Sequence, residues 1–260
     1  DTQYRQGRPR KKMSSKPASE IGERVGQGNA KRVDTVSSGV QQRASRFLHY
    51  NQIQLPVFGD AIDNRQRQII HVKGIKICLE TFTGNATDSS FAVNVNVALI
   101  SSKKDPTSPV VSKTHFFRGH GTKRATDFDA VSSSLALHCN TINTDEWNVF
   151  FHKRFSIGTQ AFTGHPRNVN IMEYVKINRQ IAFDDVNEPS DRIFLVFWCA
   201  RAATNTLTVV NDTMRAQWQH ILYYDEPIPA SVYNMVKKAT KTKKKTYRKK
   251  SYRPRLRLTY

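Results

Sequence analysis

The sequence predicts an all-β domain, an antiparallel sandwich or barrel, held between two cationic segments. Three observations carry this. Apolar side chains recur with period two in one segment after another, the pattern of strands with one face buried. Long loops join these segments, and the regular crossover helices that a parallel α/β fold needs are missing. Charge is unevenly spread: the 260 residues hold 41 Lys+Arg and 21 Asp+Glu, a net charge of +20. Residues 231–260 carry 12 basic and 0 acidic side chains, residues 1–50 carry 11 and 4, and the stretch between is nearly neutral at 18 and 17.

The elements follow in order. Residues 1–45 are rich in Arg, Lys, Gln, Ser and Gly and show little apolar periodicity, so they read as a flexible basic arm. Residues 46–230 form the β domain, and 231–260 the basic tail. Phe47 to Phe58 reads as a first extended segment, closed by Pro56 and Gly59. In Val72 to Phe82, Ile75, Ile77 and Leu79 alternate with Lys76, Cys78 and Glu80. Phe91 to Leu99 alternates more strictly, which sets Val93, Val95 and Val97 on the core face and Asn94 and Asn96 away from it. Asp127 to His138 is the best helix candidate, with Val131, Leu135 and His138 at roughly helical spacing behind two acids.

Strands then resume. Asn148 to Ile157 places Phe151, Phe155 and Ile157 on one face. Glu173 to Phe183 does the same with Val175, Ile177, Ile181 and Phe183, leaving Lys176 and Asn178 opposite. Ile193 to Ala200 is a continuous apolar run, which predicts a strand buried on both faces. Gln217 to Tyr224 is the last strand. The count is seven to eight strands with one or two short helices at most.

Several function classes find little support. The longest apolar run is far short of the ~20 residues that cross a bilayer as a helix. Cys78, Cys139 and Cys199 are three in number and form no disulfide framework, which suggests a reducing compartment. No nucleophile-elbow sequence occurs. His138-Cys139 lacks the neighbouring ligands of a zinc site and reads as a partly buried His beside a buried Cys. Asp184-Asp185 precedes Asn187 and Pro189 and reads as a turn. Arg118 to Arg124 lacks phosphate-loop spacing and reads as a basic surface loop. No catalytic residue, metal site or cofactor is expected.

The chemistry that stands out is polyanion binding. Lys237, Lys238, Lys241, Lys243, Lys244, Lys245, Arg248, Lys249, Lys250, Arg253, Arg255 and Arg257 are interleaved with Tyr247, Tyr252 and Tyr260. Clustered flexible cations gain by releasing the counterions condensed on a phosphate backbone. Aromatic rings among them can stack on unpaired bases, which favours a single strand. Arg5, Arg8, Arg10, Lys11, Lys12 and Lys16 repeat the theme at the other end. Either run also fits a nuclear import signal.

Five segments extend this reading: HVKGIKICLETF (71–82), EWNVFFHKRFSI (146–157), EYVKINRQIAF (173–183), RIFLVFWCARA (192–202) and DTMRAQWQHILYYDE (212–226). In order and spacing they resemble capsid proteins of small viruses with circular single-stranded DNA genomes, most of all geminivirus coat proteins and their relatives. The resemblance covers Val72 to Glu226. It implies a single eight-stranded antiparallel jelly-roll sandwich that self-assembles into an icosahedral-type shell and packages single-stranded DNA. It also implies residence in the virion and in the host cell nucleus, with nuclear import receptors as partners and no membrane. Two features depart from the family: the denser basic region follows the last strand, and its proposed Cys/His metal motif has no counterpart. The alternatives are a capsid protein of a small RNA or satellite virus, a cellular single-stranded nucleic-acid-binding β-domain, and a nuclease working through Asp184 and Asp185.

Overall fold

The computed structural model describes residues 31–37, 39–83, 92–119, 124–158, 168–202 and 213–227. All belong to one compact unit, Asn29–Pro227. In chain order its strands are β1 (Lys31–Val36), β2 (Gln41–Arg43), β3 (His49–Gln52), β4 (Ile69–Thr83), β5 (Val93–Ser102), β6 (Phe117–Arg118), β7 (Ala125–Thr126), β8 (Trp147–Ile157), β9 (Asn168–Ala182), β10 (Ile193–Arg201) and β11 (Met214–Asp225). One short helix, α1 (Ser134–Cys139), lies between β7 and β8.

Two four-strand layers form the sandwich. The first runs β1-β11-β4-β9, and the second β3-β10-β5-β8, all antiparallel. β2 also pairs with β11, beside β1, so the first sheet's edge is one strand interrupted at Gly39, whose φ of +109° a side chain would resist. Successive long strands alternate between the layers except at β5–β8, and this strand order is that of an eight-stranded jelly roll.

Alternation places the core as the sequence dictates. Ile75, Ile77 and Leu79 of β4, Val93, Val95 and Val97 of β5, Val175, Ile177 and Ile181 of β9, and Leu195 and Phe197 of β10 fill the space between the sheets. A second core lies on the far side of the second sheet. There the long β5–β8 connection lays Val111, Phe116, Phe117, Phe128, Val131, Leu137 and Ile142 over Ala98, Ile100, Val196 and Trp198. The continuous apolar run of β10 is thereby explained, since it is buried along both faces. Trp198 centres this layer. Phe116, Phe117 and Phe128 meet it edge-on at 5.6, 5.9 and 6.4 Å, and its indole N–H donates to the Leu137 carbonyl at 2.9 Å.

Three expectations need correction. β1 and β2 fall inside the segment 1–45 read as an arm, because their short polar-rich runs gain a strand's hydrogen bonds only from β11. The helix expected over Asp127 to His138 is two pieces: a 3-10 turn at Phe128–Ala130 and α1, with extended backbone at Val131 between them. The serines cause the break. Ser133 accepts a hydrogen bond from the Ala136 amide at 3.0 Å and so starts a new helix rather than continuing one. Within α1, Leu137 is buried and Leu135 is 67% exposed, and Cys139 is exposed rather than buried. Asn96 does face away from the inter-sheet core, as Asn94 does, yet it is only 1% exposed, because the second core covers it.

Candidate nucleic-acid interface

Arg5, Arg8, Arg10, Lys11 and Lys12 lie outside the described residues, as do Lys237, Lys238, Lys241, Lys243, Lys244, Lys245, Tyr247, Arg248, Lys249, Lys250, Tyr252, Arg253, Arg255 and Arg257. What the fold supplies is their attachment. Lys31 pairs with Tyr224 across β1 and β11, three residues before Pro227, so the two cationic segments join the domain on adjacent strands at one corner of the first sheet. That corner is well fastened. The Lys31 ammonium donates to the Asn64 carbonyl at 2.7 Å and to Glu226 Oε1 at 3.3 Å, and the same carboxylate accepts the Gln66 amide at 2.7 Å. Arg67 reaches the Pro227 carbonyl.

The second sheet's outer face is taken up by the second core. Among the described residues, no such layer covers the outer face of the first sheet: Met172 and Tyr174 of β9 are 71% and 56% exposed. Register aligns the outward residues in rows. Arg32, Tyr223, Gly74 and Lys176 form one, and Asp34, Ile221, Lys76 and Tyr174 the next. A bulge at Val72/Gly74 interrupts the β4–β9 register here. A Cβ on Gly74 would stand 2.5 Å from the Tyr174 ring, so the ring lies across the glycine. Tyr223 meets Tyr174 at 5.8 Å between centroids.

Electrostatics of this face are lopsided. Its acids have partners: Asp34 with Arg32 at 3.7 Å, Asp225 with Lys73 at 3.0 Å and His71 at 3.2 Å, and Glu80 with the Gln217 amide at 2.6 Å. Lys76 and Lys176 have no acidic partner among the described residues. Lys153 and Arg154, on β8, do not share the face with Lys73 and Lys76. Lys153 bridges to Glu173 at 3.0 Å, and Arg154 donates to the Asn140 carbonyl at 2.9 Å.

Other chemistry-bearing residues have structural roles. Asp184 Oδ1 accepts the amides of Val186 and Glu188 at 3.1 and 2.7 Å, which makes the turn expected at Asp184-Asp185. His138 is held not beside a metal cluster but at Asn96. With its amide nitrogen toward His152 Nε2 at 3.1 Å, Asn96 accepts from His138 Nδ1 at 3.2 Å and from the Trp198 indole at 3.2 Å. Burial lowers both imidazoles, His152 to about 4, and the Arg154 guanidinium adds to it. Among the described residues no group of three His, Cys, Asp or Glu side chains is placed to hold a metal ion. The three cysteines are free, and burial pushes the Cys199 thiol up to about 12, where it is no nucleophile. No helix of the described residues is long and apolar enough to cross a membrane.

Sequence reasoning placed Lys176 outward but passed over Tyr174 and Tyr223. Both have the outward parity of their strands, and only the cross-strand register and Gly74 bring them together.

No protein-family model matches the chain, and no curated protein matches it in sequence. Among solved structures it superposes on one of Desmodium yellow mottle tymovirus at 9% identity and a TM-score of 0.30, over 76% of this chain and 87% of that one. An empty head of turnip yellow mosaic virus gives 12% identity and a TM-score of 0.29, over 87% and 92%. A subviral particle of infectious bursal disease virus VP2 gives 9% and 0.29, over 76% of this chain and 33% of that one. Likeness this loose identifies no relative, and the functional reading stands on sheet order and charge.

Proposed function

We propose that this chain is a viral capsid protein whose jelly roll forms the wall of a closed shell and whose two cationic termini neutralise a packaged single-stranded DNA genome. One observation carries the reading: two strongly basic segments join a nearly neutral jelly roll on adjacent strands of one sheet. A wall with its polyanion-binding ends attached at one corner can gather them on one side. With a net charge of +20, full neutralisation by one phosphate per nucleotide sets a scale of about 20 nucleotides per subunit. The termini also fit nuclear import signals and would serve for entry into the host nucleus.

Deleting 237–260 tests the division of labour. The described domain ends before this segment, so it should stay folded, while the slope of log affinity against log salt flattens strongly because fewer counterions are released. Deleting 1–20 should flatten it less. Filter binding with a labelled oligonucleotide reads both, and an unchanged slope without 237–260 would place the genome elsewhere. Selective digestion of co-purified nucleic acid decides DNA against RNA.

Shell formation has its own expected surface. Where the β3–β4 and β9–β10 loops meet, Ile62 and Val186 are 86% and 76% exposed, beside exposed Val57 and Phe58. These loops are fixed to each other by Arg65, which stacks under Phe183 at 3.8 Å and donates to Asn187. Such a rigid apolar patch suits contact with another copy. Ile62→Asp with Val186→Asp should leave the melting temperature nearly unchanged and abolish particles in electron micrographs. Particles of normal yield would move the contact away from this end.

A further inference from the structure

The outer face of the first sheet, which no layer covers among the described residues, offers a folded site for bases. Three features coincide there. The Tyr174 ring lies across Gly74, is 56% exposed, and is buttressed at 5.8 Å by Tyr223. Lys76 sits directly opposite Tyr174 in the β4–β9 register, and Lys176 opposite Gly74, so a cation flanks the ring on either strand. Each acid of the face is already engaged, so among the described residues those two ammonium groups have no carboxylate.

We infer that this face is a stacking platform for unpaired nucleic-acid bases, with Tyr174 as the base-contacting ring and Lys76 and Lys176 holding the phosphates on either side. Strands rise ~3.3 Å per residue and lie ~4.8 Å apart. Tyr174 and the two lysines therefore fall within about the span of one nucleotide and its flanking phosphates. A twisted sheet bearing exposed aromatics and cations binds single strands in just this manner, and every base offers a face to stack. A docking site for a second copy is the competing use of the patch. It is disfavoured because closing a protein partner over Lys76 and Lys176 would bury two charges with no acid of this face to meet them. The inference rests on the packaging role proposed above and adds to it a site independent of the termini.

The test uses the full chain and an oligothymidylate carrying 5-iodouracil. Irradiation of the complex, followed by peptide mapping, should place an adduct on Tyr174 in addition to any on the termini. At high salt, where the cationic segments contribute little, Tyr174→Leu should lower affinity roughly tenfold. Tyr174→Phe should retain it, since the ring stacks without its hydroxyl. Lys76→Gln with Lys176→Gln should reduce the salt slope by about 1.4. Adducts confined to 1–30 and 228–260, with Tyr174→Leu binding normally, would overturn the inference and leave the capsid reading intact. Loss of particles in Tyr174→Leu with no adduct at Tyr174 would overturn it too, in favour of contact between copies. Failure of the wild-type chain to bind the oligonucleotide at low salt would overturn both.

Discussion

Val95→Asp is expected to abolish folding, while Asn94→Asp, one residue away, leaves it intact. Val95 is fully buried in the inter-sheet core, paired with Cys199 on one side and Phe155 on the other. A carboxylate there meets only apolar side chains, and an unpaired charge in such a place costs several kcal/mol or must be neutralised. That is most of the ~5–15 kcal/mol by which a domain is usually stable. Asn94 points the other way, and its Oδ1 accepts the Ser156 hydroxyl at 2.7 Å. Aspartate keeps that acceptor. Asn96 is the instructive third case, because it has the parity of Asn94 and the burial of Val95. Asn96→Ala removes the group that links His138 to His152, two half-buried rings that then lose that partner, for about 1–3 kcal/mol. Urea melts of the three variants give the order Val95→Asp, Asn96→Ala, Asn94→Asp, from most to least damaging. Equal tolerance of the first and last would mean the register of β5 is shifted by one.

Asn96 also shows where reading the sequence stops. Period two tells which residues share a face, and it assigned the inward faces of β4, β5, β8 and β9 from Ile75, Val95, Phe151 and Val175. It does not tell what lies on the other face. A half-polar strand such as β5 normally turns its asparagines to water. Here a loop lays its phenylalanines over them, and that contact is set by residues up to about forty positions away. β1 and β2 were missed for the same reason. Lys31–Val36 reads as KRVDTV, too short and polar to declare itself, and it is a strand because β11 offers an unpaired edge. The cationic termini lie at the opposite extreme. Their charge is legible from composition alone. The Tyr174 face needs two registers and a glycine to exist at all, and no local pattern announces it.

Acid is expected to destabilise the domain well before its carboxylates are protonated. His220 points from β11 into the inter-sheet core, 2% exposed, and neither ring nitrogen has a hydrogen bond among the described residues. Burial lowers it to about 4, and His152 likewise to about 4. Both therefore titrate lower in the folded chain than the ordinary 6.5 they take when unfolded. Between those values the unfolded chain binds protons that the folded chain refuses, so stability falls as pH drops below about 6.5 and the loss saturates near 4. For His220 the full loss is about 3 kcal/mol; His152 adds less, since it is only partly buried. Asp191 works the other way. Burial raises its carboxyl, against the pull of Arg179, so the folded chain takes up that proton early and offsets part of the loss at the acid end. His220→Leu separates the contributions. Leucine is of similar size, carries no polar atom that needs a partner, and cannot charge. The variant should match or exceed wild-type stability at pH 7.5 and lose markedly less on acidification to pH 4.5, with thermal melts across that range as the measurement. If wild type and variant lose stability in parallel, His220 is solvated or paired in solution and the acid sensitivity belongs to the Asn96 cluster.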